Sequence, residues 1–139
     1  MPFALRWVQT LVAGVADLGV PVIYFVNGSP HLLEQAATSG ADVLGVCWRT
    51  PIDVVAARVG PGIALQGNLD PHALFATPED VSGLALDVLN RVAGRPGHIM
   101  NLGHGILPET PIASVEALVA TVHTATTRAT DERMPACTP

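Results

Sequence analysis

Val20-Pro21-Val22-Ile23-Tyr24-Phe25-Val26 is a β-branched and aromatic run, closed by Asn27-Gly28 and followed at once by Ser29-Pro30. Such a run, apolar on both alternating faces, reads as a buried strand, and the Asn-Gly that ends it is turn chemistry. Ser-Pro is then a helix start: the hydroxyl can cap orphan N–H groups, and proline fits the first helical position. Strand, short loop and helix start therefore follow one another directly. The same order recurs along the chain. Thr50-Pro51, Thr77-Pro78 and Thr110-Pro111 each come after an apolar run or its loop, and the first two place an acid, Asp53 or Glu79-Asp80, in the first helical turn. There the helix dipole favours negative charge.

Between these starts lie the runs Val43-Leu44-Gly45-Val46-Cys47, Ile63-Ala64-Leu65-Gln66 and His98-Ile99-Met100-Asn101-Leu102. Helices are predicted near 30–39, 51–59, 78–93 and 112–129. Upstream, Phe3, Leu5, Val8, Leu11, Val12, Val15 and Leu18 recur at helical period, giving an amphipathic helix over 2–18 that Gly19 ends. One helix followed by four strand–helix units argues α/β architecture, with four parallel strands alternating with helices. Four such strands either form a small open sheet or belong to a larger (β/α)8 barrel of ~250 residues. Residues 131–139, rich in proline and polar groups, read as a loose tail after a unit spanning 1–130.

The composition is unusually apolar, with 49% hydrophobic and 14% charged residues in 139. Such a composition disfavours disorder, and the apolar excess suits a segment whose faces are covered by further chain. No apolar run approaches the ~18 residues of a membrane span. All seven basic residues are arginines, spread without a cluster under a net charge of −5, which disfavours nucleic acid and polybasic membrane anchoring. Cys47 lies in an apolar run and reads as a small core residue, while Cys137 falls in the tail. They make no disulfide framework, so a reducing, cytoplasmic setting is expected.

In parallel sheets and barrels alike, sites form at the C-terminal ends of the strands. Four loops qualify: Asn27 to His31, Trp48 to Thr50, Gln66 to His72 and Asn101 to Pro108. In the last, His104 stands between Gly103 and Gly105. Flanking glycines let backbone turn tightly and a ligand approach closely, and histidine can donate to carboxylates or carry a proton near neutral pH. The alternative is a histidine that fills the turn with its nitrogens bonded to backbone. Gln66, Asn68 and Asn101 are polar supports of the same region, open to either role. Asp70 before Pro71 reads as a turn or cap residue. Trp48 is expected in the core at the mouth. His31, His72, His98 and His123 have no metal-ligand spacing with the cysteines and read as surface or packing residues.

Leu65-Gln66-Gly67-Asn68-Leu69-Asp70-Pro71, followed by His98-Ile99-Met100-Asn101-Leu102-Gly103-His104-Gly105-Ile106-Leu107-Pro108, resembles uroporphyrinogen decarboxylase. Thr110-Pro111 with Val115-Glu116-Ala117-Leu118-Val119 and Val122-His123 is similar too, and the likeness runs from Pro2-Phe3 to the tail. The resemblance implies the C-terminal half of a (β/α)8 TIM barrel and a cytoplasmic carboxy-lyase of heme biosynthesis, homodimeric when complete. It implies no metal and no cofactor, with decarboxylation of the four acetate side chains of uroporphyrinogen to give coproporphyrinogen. Of the family's substrate contacts, the histidine of the Gly-His-Gly loop corresponds to His104, a partner for a substrate carboxylate. The family's catalytic Asp, Arg-rich segment, Tyr and Ser or Thr correspond to positions before Pro2, so this sequence carries no catalytic residue.

Two other classes compete. Corrinoid-linked zinc methyltransferases share the barrel, but their zinc needs a His-x-Cys after an earlier strand and a Gly-Cys in the last loop, where this sequence reads Phe25-Val26-Asn27-Gly28 and Gly103-His104-Gly105. A stand-alone small α/β binding module, with a nucleotide or cofactor at the strand ends, lacks a phosphate fingerprint here, and a monomeric, cooperatively folded chain would favour it. The isolated chain is expected to be a fragment, inactive and poorly soluble or partly folded, because half a barrel leaves strand edges and an apolar face uncovered.

Overall fold

A computed structural model describes the backbone of residues 2–131 and side chains over 4–126. Its order is α1 (Pro2–Gly14), β1 (Ile23–Phe25), α2 (Leu33–Ala36), β2 (Val43–Gly45), α3 (Ile52–Val59), β3 (Ala64–Gln66), α4 (Pro78–Arg91), β4 (His98–Ile99) and α5 (Ile112–Asp131). Short 3-10 turns fill Ala16–Leu18, Pro30–Leu32 and Pro71–Phe75. The four strands form one parallel sheet in the order β1-β2-β3-β4, so every strand–helix unit returns beside its predecessor. The alternation predicted from sequence is what the chain adopts.

Register divides the sheet into two faces, because partners side by side in parallel strands point the same way. Tyr24, Leu44, Leu65 and His98 form one row; Phe25, Gly45, Gln66 and Ile99 form the next. The first row faces the helices. Leu44 and Leu65 pack there with Val46, with Ile52 and Val55 of α3, and with Val88 and Val92 at the end of α4. The second row belongs to an open face, where Ile23, Phe25 and Ile99 remain exposed. Gly45 matters to that face, since a Cβ there would stand 3.0 Å from the Phe25 side chain. Its absence lets the ring lie across the sheet.

Ion pairs bind the helical layer. Arg58 donates to both carboxylate oxygens of Glu34 at 2.7 and 2.9 Å, joining α3 to the turn of α2. Arg91 donates to Asp87 within α4 and to Asp53 of α3. Both lie at the surface, where such pairs contribute modestly.

The elements depart from expectation mostly at their starts. β1 begins at Ile23 rather than Val20: Pro21 has no N–H, and the Val22 N–H donates to the Asp42 carboxylate at 2.8 Å. The helix predicted over 30–39 splits into a 3-10 turn and the four-residue α2. Of the hydroxyl-proline starts, Thr77 caps its helix, accepting from the Asp80 N–H while its own hydroxyl donates to the Asp80 carboxylate. Ser29 instead donates to the Asn27 carbonyl. Pro51, not Thr50, is the N-cap of α3, and the Thr50 carbonyl is taken by Asn68. The Thr110 hydroxyl is buried without a partner among the described residues, and α5 starts after it at Ile112. α5 ends at Asp131, and the rest of the tail predicted over 131–139, Cys137 included, lies outside the described residues.

Candidate functional site

The loops after β3 and β4 continue side by side beyond the strands. Gly67 N–H donates to the Ile99 carbonyl, Leu69 N–H to Asn101 and Gly103 N–H to Leu69. Gly67 makes this turn at φ 133°, and a Cβ on it would meet the Val46 carbonyl at 2.9 Å. Only glycine accepts both conditions without strain. Asn68, 6% exposed, then drives its amide under the neighbouring loop, donating to the Cys47 carbonyl at 3.1 Å and the Thr50 carbonyl at 2.6 Å. Its nitrogen is committed to loop architecture. Asn101 accepts from the Leu102 N–H at 2.8 Å, a local turn bond at an exposed position. Asp70 caps its turn, as its sequence suggests, by accepting from the His72 N–H and ring.

Gly103 and Gly105 do different jobs. A Cβ on Gly103 would lie 2.6 Å from the Trp48 Cα, so the fourth loop presses its backbone directly on the second; nothing lies near a Cβ at Gly105. Between them His104 is exposed, its ring edge-on to Phe25 with centroids 6.2 Å apart. Phe25 belongs to the open face, so His104 sits over that face at the strands' C-terminal ends. Among the described residues no hydrogen bond engages its ring nitrogens, so the hydrogen-bonded turn is not the arrangement found. Gln66 lies half-buried in the Phe25 row, its amide likewise without a partner among the described residues. The candidates thus separate. His104 and Gln66 offer free polar groups toward the open face, while Asn68, Asn101 and Gly103 hold the loops that carry them.

Sequence reasoning passed over one cluster beside these. Cys47 is buried, as expected, but its thiol donates to the Asn27 Oδ1 at 3.4 Å, and the Arg49 guanidinium approaches its sulfur at 3.8 Å. Burial pushes the thiol up, yet the Arg49 and Gly28 N–H groups with the Arg49 charge outweigh it, and the thiol is held below its ordinary value. Trp48 is half-buried rather than core, between the Arg49 guanidinium 4.6 Å above its ring and the His72 ring 6.2 Å away. An arginine two residues after a strand-end cysteine, opposite an Asn-Gly turn, was the available signal. His98 is half-buried, and because Gly67 offers a carbonyl, its Nε2 donates at 2.6 Å. No group of three His, Cys, Asp or Glu side chains converges among the described residues, and no described helix is long and apolar enough to cross a membrane.

A parallel β/α sheet helix-covered on one face, with loops gathered at the strands' C-terminal ends, defines the chain as four consecutive units of a (β/α)8 barrel. The model of the uroporphyrinogen decarboxylase family matches residues 2–125, and the chain belongs to that family. It is 47% identical over 126 residues to the uroporphyrinogen decarboxylase of Roseiflexus sp. (strain RS-1), covering 87% of this chain and 36% of that one. To the protein of the same name from Streptomyces coelicolor it is 52% identical over 114 residues, covering 82% of this chain and 32% of the relative. The chain therefore spans about a third of the length of the curated relatives it matches. Among solved structures, a methyltransferase from Methanosarcina mazei superposes with a TM-score of 0.76 at 21% identity, over 88% of this chain and 35% of that one. That likeness concerns the fold alone.

Proposed function

We propose that this chain forms part of a uroporphyrinogen decarboxylase and lends His104 to the binding of a substrate carboxylate. The observation that carries the reading is the state of His104: exposed, over the open face of the sheet, with both ring nitrogens free among the described residues. An imidazole N–H so disposed can donate to an acetate or propionate oxygen, more strongly when protonated. Gln66 adds a neutral donor deeper on the same face. Family membership supplies the substrate class, uroporphyrinogen, and the reaction, in which each acetate takes up a proton and leaves a methyl group and CO2. A pyrrole carbon protonated first gives the ring the capacity to accept the electron pair of the breaking carbon–carbon bond. Neither metal nor cofactor is required by that chemistry, and the complete enzyme is a cytoplasmic homodimer in this reading.

The test is a chimera that joins this chain to the part of the Streptomyces coelicolor relative it does not match. Decarboxylation of uroporphyrinogen to coproporphyrinogen is the expected result. His104→Asn in that chimera should raise KM by about 10-fold, the scale of one charge-assisted hydrogen bond, and let partly decarboxylated intermediates accumulate. A folded chimera that leaves uroporphyrinogen untouched would overturn the reading; unchanged turnover in the variant would remove His104 from it.

A further inference from the structure

A site for a polycarboxylate needs more positive charge than one histidine supplies, and the chain's permanent cations are its arginines. Most of those with described side chains are already engaged. Arg58 and Arg91 are paired with carboxylates. Arg95 donates to the Gly60 and Ile63 carbonyls at 2.7 Å, at the opposite end of β3. Arg6 lies over Trp7 on α1. Arg49 differs from all of these. It is exposed at the C-terminal end of β2, and no described carboxylate pairs with it.

Its setting is built. Stacking on Trp48 at 4.6 Å occupies one face of the guanidinium, and the Cys47 sulfur takes one N–H group. The remaining edge donors keep the planar fork that matches a carboxylate. Gly103 fixes where that fork lies relative to His104. Because the Gly103 and Trp48 backbones touch, the residues following them, His104 and Arg49, keep their Cα atoms within about 12 Å of each other. A guanidinium and an imidazole of that reach can engage two acidic arms of one tetrapyrrole.

We infer that Arg49 is a second carboxylate-binding residue of this site, holding an acidic side chain of the tetrapyrrole different from the one at His104. The inference rests on the reading of the site as a tetrapyrrole polycarboxylate site.

The same chimera serves as the test, with quenching of uroporphyrin fluorescence as a readout of binding that does not depend on decarboxylation. Arg49→Gln should raise the uroporphyrin Kd by about 10-fold, a loss that shrinks as salt is raised, with the thermal midpoint unchanged. Arg49→Lys keeps the charge but loses the planar fork, so its Kd should fall between those of the parent and Arg49→Gln while the salt dependence is retained. A purely structural role through Trp48 and Cys47 would move the midpoint and leave the salt dependence alone. Arg49→Gln binding as tightly as the parent would overturn the inference by itself. A parent chimera that binds no uroporphyrin would overturn it together with the reading beneath it.

Discussion

Leu44 and Leu65, on the helix-covered face of the sheet, are 1% and 0% exposed, whereas Phe25 and Ile99 on the opposite face are each 43% exposed. Both faces are apolar in sequence, because strands buried on two sides read as continuous apolar runs rather than alternating ones. The helices account for one side only. The other carries Ile23, Phe25 and Ile99 beside the free amide of Gln66 and the ring of His104, the mixture expected where a barrel interior opens into its site. One face is a finished core, and the other stays open in a chain that spans about a third of its relatives' length.

Substitutions in the two rows test that contrast directly, and the largest effect belongs to the covered row. Leu65→Ala should destabilise by about 3 kcal/mol in the chain alone and in the chimera, since the cavity lies under α3 in both. Phe25→Ser should cost less than about 1 kcal/mol in the chain alone. In the chimera, where the same ring is removed from water, it should cost about 2 kcal/mol. Denaturant titrations of the four variants and their two parents give the comparison. Equal costs for Phe25→Ser in the two settings would mean that nothing covers the open face.

The element order was legible because hydrophobic runs and their Ser/Thr-Pro punctuation repeat, and repetition survives errors at any single boundary. Boundaries were less so. Thr50 has Asp53 three residues on just as Thr77 has Asp80, yet only Thr77 and Asp80 close the reciprocal cap, because Asp53 accepts from Arg91 and the Thr50 carbonyl from Asn68. The candidate site was legible as a set of loops rather than as roles. Asn68 and Gln66 sit two residues apart at one strand end. What separates a loop anchor from a free amide is whether the Cys47 and Thr50 carbonyls lie within reach, which depends on the fold of another segment. Arg49 escaped notice for the same reason, its partners being a stacked ring and a thiol that spacing does not reveal.

The two glycines around His104 sharpen the contrast within a single loop. Gly103→Ala forces a methyl into the Trp48 backbone, which cannot move aside as a side-chain tip could, and should destabilise by about 2 kcal/mol. Gly105→Ala meets open space and should stay within about 0.5 kcal/mol. Thermal midpoints of the two variants in the chimera decide it. Similar losses at both positions would make the glycines turn residues alike and would remove the loop contact on which the spacing of Arg49 and His104 depends.

The smallest effect lies at the polar end of the covered row, where His98 continues the line of Leu44 and Leu65. Burial holds its imidazole below the ordinary value, opposed in part by the Gly67 carbonyl that accepts its Nε2–H. The unfolded chain therefore takes up a proton at this position before the folded one does as the pH falls. The contribution of neutral His98 to stability is complete above about pH 6.5 and declines below it, until the folded form protonates as well. His98→Gln keeps a donor for Gly67 and lacks the titration, so its stability should fall less steeply than that of the parent just below pH 6.5. Denaturant midpoints of parent and variant across that interval are the measurement. Parallel declines would show that the covered row's polar end is as wet as the open face, and the division between the two faces would then stop at β3.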